Sequence, residues 1–185
     1  MHRRLTELVE YADTTRAALL DVAATVPADR FTERPAPERW SAAELLEHLA
    51  RVESGCARVI AKRATGAREA GVGPERDDSS MLGALDGRPV RDRSRKLQAP
   101  ELVAPAGGFS RERSLEALIA SREELRRAIA VADGIELREV RHPHVVLGEL
   151  DLYQWILFVG QHEERHLPQL EEIVVQLRSK ESPES

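Results

Sequence analysis

Apolar residues near the start of the chain recur at steps of three and four, the period of an amphipathic α-helix. Between His2 and Val26 the positions that follow this period are Leu5, Leu8, Val9, Ala12, Leu19, Val22 and Val26. Pro27 comes next, and a proline favours the end of a helix because it lacks a backbone donor. The pattern predicts a first helix over residues 2–26.

A capping box marks the start of a second helix. Ser41 can accept a hydrogen bond from the backbone of Glu44, whose side chain can reach back to the backbone of Ser41. Trp40 stands just before the cap and can pack onto Leu45. We expect this helix to run from about residue 42 to residue 64.

Two further helices are predicted in the second half of the chain. Ser110 can cap a helix whose apolar period continues through Ile129. Asp151 and Gln154 form a second capping-box pair, and the helix that follows continues to about residue 177. Pro168 lies inside it, where we expect a kink rather than an end because the apolar period resumes beyond it.

Residues 65–108 form a long crossover between the second and third helices. This stretch is rich in glycine and proline, with aspartate and serine among them. So long a connection predicts short helical turns, here around residues 81–85, that pack over one end of the helices and could act as a lid. Four long helices with almost no strand signal predict an all-α protein, a four-helix bundle. We expect one domain over residues 1–178 and a disordered tail over residues 179–185.

Composition narrows the classes of function. The 185 residues carry 32 acidic and 27 basic side chains, a net charge of -5 with no basic concentration, so neither nucleic acid nor an anionic membrane is an expected partner. Cys56 is the only cysteine, which excludes an internal disulfide and a cysteine-rich zinc site and is typical of a small core residue. The opening residues do not resemble a secretion signal, and we expect a cytoplasmic protein.

Two histidines occupy apolar positions on the predicted fourth helix. Its inward stripe reads Trp155, Val159, His162, His166, Leu170, Ile173 and Leu177. Residues four apart on a helix lie one turn apart, with Cβ atoms about 6 Å from each other, so both imidazoles can reach one metal ion. The H-x-x-x-H spacing therefore predicts a pair of metal ligands.

A third histidine faces inward on the predicted second helix, where the apolar set is Leu45, His48, Leu49, Val52, Cys56 and Val59. Each buried imidazole needs partners for both ring nitrogens, and one shared cation would satisfy a nitrogen of each. We therefore predict that His48, His162 and His166 bind a divalent metal. The alternative is that they are ordinary core histidines with separate hydrogen-bond partners.

The other histidines are left out of this predicted site. His2 is close to the start of the chain and is expected to be solvated. His142 and His144 flank a proline in a loop, where a role in helix entry and a place at the mouth of the site both stay open.

Polar neighbours of the histidines on the fourth helix have weaker signals. The charged run Glu163-Glu164-Arg165 is typical of a solvated helix face. Gln169 follows His166 by almost one turn and could orient its imidazole, or could lie on the surface.

Two motifs together resemble the DinB-like superfamily, including the YfiT-like metal-dependent hydrolases and thiol S-transferases. The first is Trp40-Ser41-x-x-Glu44-x-x-x-His48, with Leu49 and Glu53 after it. The second runs Leu147-Gly148-Glu149-Leu150, Trp155, Phe158 and then His162-x-x-Arg165-His166-x-x-Gln169. They occur in the family's order with the long crossover between them, and the resemblance covers essentially the whole chain.

The resemblance implies a bundle of up-down-down-up type and a metal, often nickel or zinc, held by three histidines, which here match His48, His162 and His166. It also implies frequent homodimers. Some relatives use the metal to activate a low-molecular-weight thiol. The stretch His142-Pro143-His144-Val145-Val146 is about a residue longer than the family pattern and changes the expected mouth of the site.

Three functions follow as hypotheses. The first is a metal-dependent transferase that presents a small thiol to an electrophilic substrate. The second is a metal-dependent hydrolase that uses a metal-bound hydroxide. The third is a stress-response protein that binds metal without catalysis.

Overall fold

The computed structural model describes residues 1–94 and 98–180, and within them the protein is mostly helical. The four long helices are α1 (Arg3–Ala24), α2 (Ala42–Glu69), α3 (Arg111–Ala132) and α4 (Leu152–Ser179), and two short strands, β1 (Arg141–His144) and β2 (Gly148–Asp151), precede α4. Short 3₁₀ turns occur at Ala28–Arg30, Glu101–Val103 and Leu137–Glu139. The predicted order of helices is confirmed.

The helices begin where local chemistry predicts. Ser41 and Glu44 form both hydrogen bonds of a capping box at the start of α2, and Asp151 and Gln154 do the same for α4. The Ser110 side chain accepts the backbone N–H of Arg113 at the start of α3. These starts depend only on residues three apart, so the sequence alone locates them.

The helix ends differ from the predictions. Helix α1 stops at Ala24, short of residue 26, whereas α2 continues beyond residue 64 to Glu69 and α3 beyond residue 129 to Ala132. Buried Ala67 explains the longer α2, because the apolar face continues until Gly71 adopts a positive φ of 76°. Helix α4 passes through Pro168 without ending.

Helix α4 lies between α1 and α2, while α3 packs against α2. The contact of α1 with α4 is close at Gly160, where an added Cβ would lie 2.6 Å from the Tyr11 ring. No larger residue fits there without movement of the ring. Helices α2 and α4, which carry the three predicted ligands, are therefore direct neighbours.

A short β-hairpin precedes α4, where the sequence pattern predicted a loop around His142 and His144. Strands β1 and β2 pair antiparallel, with Arg141 opposite Asp151 and His144 opposite Gly148. Gly148 has a positive φ of 75°, which allows the tight connection. The strands are only four residues long and include a proline, so no alternating apolar pattern announced them.

The crossover between α2 and α3 contains the predicted turns. Backbone hydrogen bonds from Ala84 to Met81 and from Asp86 to Gly83 close them, and the Met81 and Leu85 side chains are buried in the core. An isolated bridge between Pro74 and Ile135 holds the start of the crossover to the end of α3. Within its described residues the crossover is thus anchored to the helical core at Met81, Leu85 and Val90.

The extent of the domain over residues 1–178 stays a prediction. The predicted tail, residues 179–185, lies mostly outside the described residues, which end at residue 180. Among the described helices, none has the length and apolar character that spanning a membrane requires.

Candidate metal centre

His48 lies on the second turn of α2 and is 4% exposed. Its Nδ1 is 2.8 Å from the carbonyl oxygen of Val103, in the crossover. Because a carbonyl only accepts hydrogen bonds, Nδ1 carries the proton and Nε2 keeps its lone pair. The crossover therefore leaves His48 with a ligand atom ready for a cation.

His162 and His166 lie one turn apart on α4, as the spacing predicts. Their Nε2 atoms are 3.2 Å from each other. The Nδ1 of His166 is 2.9 Å from the side-chain oxygen of Gln169. Because this oxygen accepts a hydrogen bond, the Nδ1 of His166 carries the proton. Gln169 thus orients the imidazole of His166, the first of its two predicted roles, and leaves Nε2 of His166 without a proton.

The three imidazoles converge on one point. One ring nitrogen from each of His48, His162 and His166 lies within 4.8 Å of the other two. A tetrahedral ion with bonds of about 2.0–2.1 Å requires about 3.3 Å between its nitrogen ligands. The pair on α4 already has this separation, and a modest approach of His48 would complete the set. Three neutral imidazoles are a donor set that suits zinc or nickel.

Electrostatics keeps the imidazoles neutral. Burial lowers the pKa of His48, and burial together with the neighbouring His48 lowers the pKa of His166 to about 3. Burial and the two nearby histidines also hold the pKa of His162 well below its usual range. A histidine must be neutral to bind a metal, so all three are ready to do so at neutral pH.

Aromatic side chains line the centre. The Trp40 ring lies 4.9 Å from the His48 ring and 6.5 Å from the His166 ring, measured between centroids, and the Phe158 ring lies 5.2 Å from that of His162. Sequence reasoning gave Trp40 a role only in the helix cap. Trp40 stands eight residues before His48 in the W-S-x-x-E-x-x-x-H motif. This spacing was the signal that could have placed its ring beside the metal centre.

The remaining histidines lie outside the three-histidine group. His142 and His144 belong to β1, where their rings are 5.7 and 5.1 Å from the Trp155 ring. His2 is not simply solvated as expected, because its Nδ1 accepts the backbone N–H of Arg4 and caps α1. Cys56 is buried, as predicted, and burial raises the pKa of its thiol.

The prediction that Glu163 lies on a solvated face was wrong. Glu163 is 2% exposed and forms part of a buried ionic network with Arg16, Arg122 and Glu53. Arg16 Nε donates to Glu163 Oε1 at 2.8 Å and Arg16 Nη2 donates to Glu53 Oε2 at 2.7 Å. Arg122 Nε donates to the other oxygen of Glu53 at 2.6 Å. The partners lie on α1, α2, α3 and α4, too far apart in sequence for any local pattern to reveal them.

Two side chains next to the ligands fix the crossover. Glu47, adjacent to His48, accepts the backbone N–H groups of Ala106 and Gly107 at 3.0 and 3.2 Å. Arg165, adjacent to His166, donates to the carbonyl oxygens of Val90 and Asp92. The crossover is therefore attached to both ligand-bearing helices beside the centre.

Comparisons with known proteins identify the family of the chain. The model of the DinB superfamily matches residues 11–170. The chain is also similar to an uncharacterized protein of Bacillus subtilis (strain 168), YuaE, with 32% identity over 149 residues that cover 78% of this chain and 83% of that protein. No solved structure matches the chain. On the family match and this relative, the chain belongs to the DinB superfamily.

Proposed function

We propose that the protein is a metal-dependent transferase that activates a low-molecular-weight thiol for attack on an electrophilic small molecule. In this proposal His48, His162 and His166 hold one divalent ion, zinc or nickel. The observation that carries it is the convergence of three neutral imidazoles within 4.8 Å. The proposal includes the up-down-down-up bundle and a homodimer, which rest on the family resemblance, and a cytoplasmic location, which is expected from the single cysteine.

The chain orients the ligand nitrogens and places aromatic rings beside them. An ion with three imidazole ligands keeps a position open and lowers the pKa of a thiol or water that binds there. Val103 and Gln169 fix the tautomers of His48 and His166, so the ligand nitrogens need no rearrangement of protons before binding. Trp40 and Phe158 place aromatic rings beside the imidazoles of His48 and His162, which would disfavour water there.

The choice of a thiol over water rests on the carboxylates beside the ligands. Glu47 already binds the crossover backbone, and Glu163 is held by Arg16 and Arg122 in the ionic network. Neither is free to act as a general base for water. A thiol, with its pKa of about 8.5, loses its proton more easily than water and needs no such base once it is bound.

The first test is the metal content of untagged protein, measured by elemental mass spectrometry. Wild type is expected to hold about one zinc or nickel ion per chain, and His162→Gln to lose it. His142→Gln is the matched control, since it removes a histidine outside the three-histidine group. No metal in the wild type after reconstitution, or equal metal in His162→Gln, would contradict the proposal.

The second test distinguishes the reactions. The metal-loaded protein is incubated with a small thiol and 1-chloro-2,4-dinitrobenzene; the sulfur bonds to the ring carbon, chloride leaves and the thiol proton goes to solvent. Thioether formation that depends on both metal and His162 supports the transferase. Hydrolysis of p-nitrophenyl acetate without thioether formation would favour the hydrolase, and neither reaction by protein with its full metal content would favour the non-catalytic role.

A further inference from the structure

His144 lies close to the candidate centre but outside its ligand set. Its ring is 4.6 Å from the Phe158 ring and 5.1 Å from the Trp155 ring, measured between centroids. The Phe158 ring is in turn 5.2 Å from that of His162. The rings of His144 and His162 are therefore at most about 10 Å apart, with Phe158 beside both.

The hairpin fixes which nitrogen of His144 carries the proton. Its Nδ1 lies 3.2 Å from the backbone N–H groups of both Val146 and Leu147. Because those groups only donate, Nδ1 accepts and the proton is on Nε2. Burial also lowers the pKa of His144, so the ring is neutral at pH 7 and offers a single N–H.

This N–H has no partner within the protein. Across residues 1–94 and 98–180 no hydrogen bond involves Nε2 of His144. This nitrogen is also not fully enclosed by the protein. It is consequently accessible from outside. Val145 and Val146, which follow it at the tip of the hairpin, are 84% and 51% exposed and give an apolar surface beside the donor.

We propose that His144 recognises the substrate: its Nε2–H binds an acceptor oxygen of a ligand whose sulfur is held at the three-histidine centre. This rests on the proposed function and specifies its substrate class. Because the rings of His144 and His162 are at most about 10 Å apart, a metal–sulfur bond of about 2.3 Å and a hydrogen bond of about 2.9 Å can be joined by a small molecule whose sulfur and oxygen are on the order of 5 Å apart. The thiol would therefore carry a carbonyl group two or three carbons from its sulfur.

The test compares two neutral thiols of similar length, 3-mercaptopropionamide and 1-butanethiol, which differ in the carbonyl acceptor. Binding to the cobalt-loaded protein is followed by the thiolate-to-cobalt charge-transfer absorption. Because both thiols are neutral, a difference in their attraction to arginine side chains cannot produce the preference. The wild type is expected to bind the amide about 5- to 10-fold more tightly, the usual contribution of one hydrogen bond.

Variants of His144 separate recognition from hairpin structure. His144→Asn keeps an acceptor for the two backbone N–H groups but removes the distal donor, so the preference for the amide should fall to about 1-fold. His144→Gln places an amide N–H near the position of Nε2 and should restore part of the preference. His142→Asn, on the same strand, is the control and should leave it unchanged.

Each outcome has one meaning. An unchanged preference in His144→Asn, or no preference in the wild type, overturns the role of His144 while the cobalt site stands. Failure of the wild type to bind cobalt overturns the proposed function and this inference with it.

Discussion

Two buried polar clusters lie back to back on α2 and α4, and they differ in how their charges are balanced. In the ionic network, two guanidinium groups face two carboxylates, and Ser121 and Thr15 donate further hydrogen bonds to Glu53 and Glu163. In the histidine cluster, ring nitrogens of three neutral imidazoles converge, and Nε2 of His162 lies within hydrogen-bond distance, 3.2 Å, of Nε2 of His166. The adjacent residues His162 and Glu163 belong to different clusters because they point to different sides of α4.

The network therefore needs nothing from outside, whereas the histidine cluster lacks a positive partner. Buried charges that are paired within the protein act mainly on folding and on the register of the helices. Buried neutral imidazoles whose ring nitrogens converge on one point can hold a cation. The contrast assigns stability to one cluster and ligand binding to the other, and each assignment can be tested by substitution.

The largest effect is expected from Arg16→Met. It leaves the buried carboxylates of Glu53 and Glu163 with one guanidinium, so the free energy of unfolding should fall by about 3–5 kcal/mol. Urea unfolding in a chelator, followed by circular dichroism, measures it. His162→Gln is the control, with a change expected within about 1 kcal/mol in the absence of metal. A loss from Arg16→Met no larger than that of the control would show that the network contributes little.

Added zinc should stabilise Arg16→Met but not His162→Gln. At a free concentration 100 times its Kd, zinc should raise the free energy of unfolding of the wild type by about 2.7 kcal/mol. Arg16→Met, if folded, should keep most of this gain and His162→Gln should lose it. Unfolding curves with zinc and with chelator give the difference, and an equal gain in wild type and His162→Gln would contradict a site at the three histidines.

A smaller effect is expected from Gln169→Leu, which removes the acceptor from Nδ1 of His166. The affinity for zinc should fall about 10- to 100-fold, because that acceptor fixes the ring and its tautomer. Competition with a chromophoric chelator measures the affinity. Gln176→Leu, at an exposed position of α4, is the matched control. Equal zinc affinities in Gln169→Leu and Gln176→Leu would contradict the role of Gln169 in orienting His166.

The effect of the histidine cluster on the metal-free protein depends on pH. The pKa of His166 is lowered from an unfolded value near 6.5 to about 3, so the unfolded chain binds more protons between these values. Stability of the metal-free protein should thus fall as pH drops below about 6.5, by up to about 1.4 kcal/mol per pH unit for each such histidine. His166→Gln should flatten this slope between pH 6.5 and 4.5, and an unchanged slope would refute the assignment.

The lower limit of that window keeps the titration of Glu75 out of the measurement. Burial of Glu75 opposes its ionisation, but hydrogen bonds from Tyr153 and Arg4 hold its pKa at about 2. Its contribution to stability is complete above its unfolded value of about 4.3 and is lost only as pH falls from there toward 2.

The sequence could reveal what depends on near neighbours. The capping boxes of α2 and α4 and the inward pair His162 and His166 follow from residues three or four apart. The pairing of Arg16 with Glu163 joins residues 147 positions apart, so a charged run looked solvated when one member was buried. The contact of Val103 with His48 uses a backbone oxygen, which no side-chain pattern can signal.

That backbone contact has a consequence for how relatives can diverge. The crossover holds His48 through a carbonyl oxygen, a group that every amino acid carries. Substitutions of the Val103 side chain leave this hydrogen bond intact as long as the 3₁₀ turn Glu101–Val103 keeps its shape. The side chain at position 103 can thus change by point mutation while the hydrogen bond that orients the ligand histidine is kept.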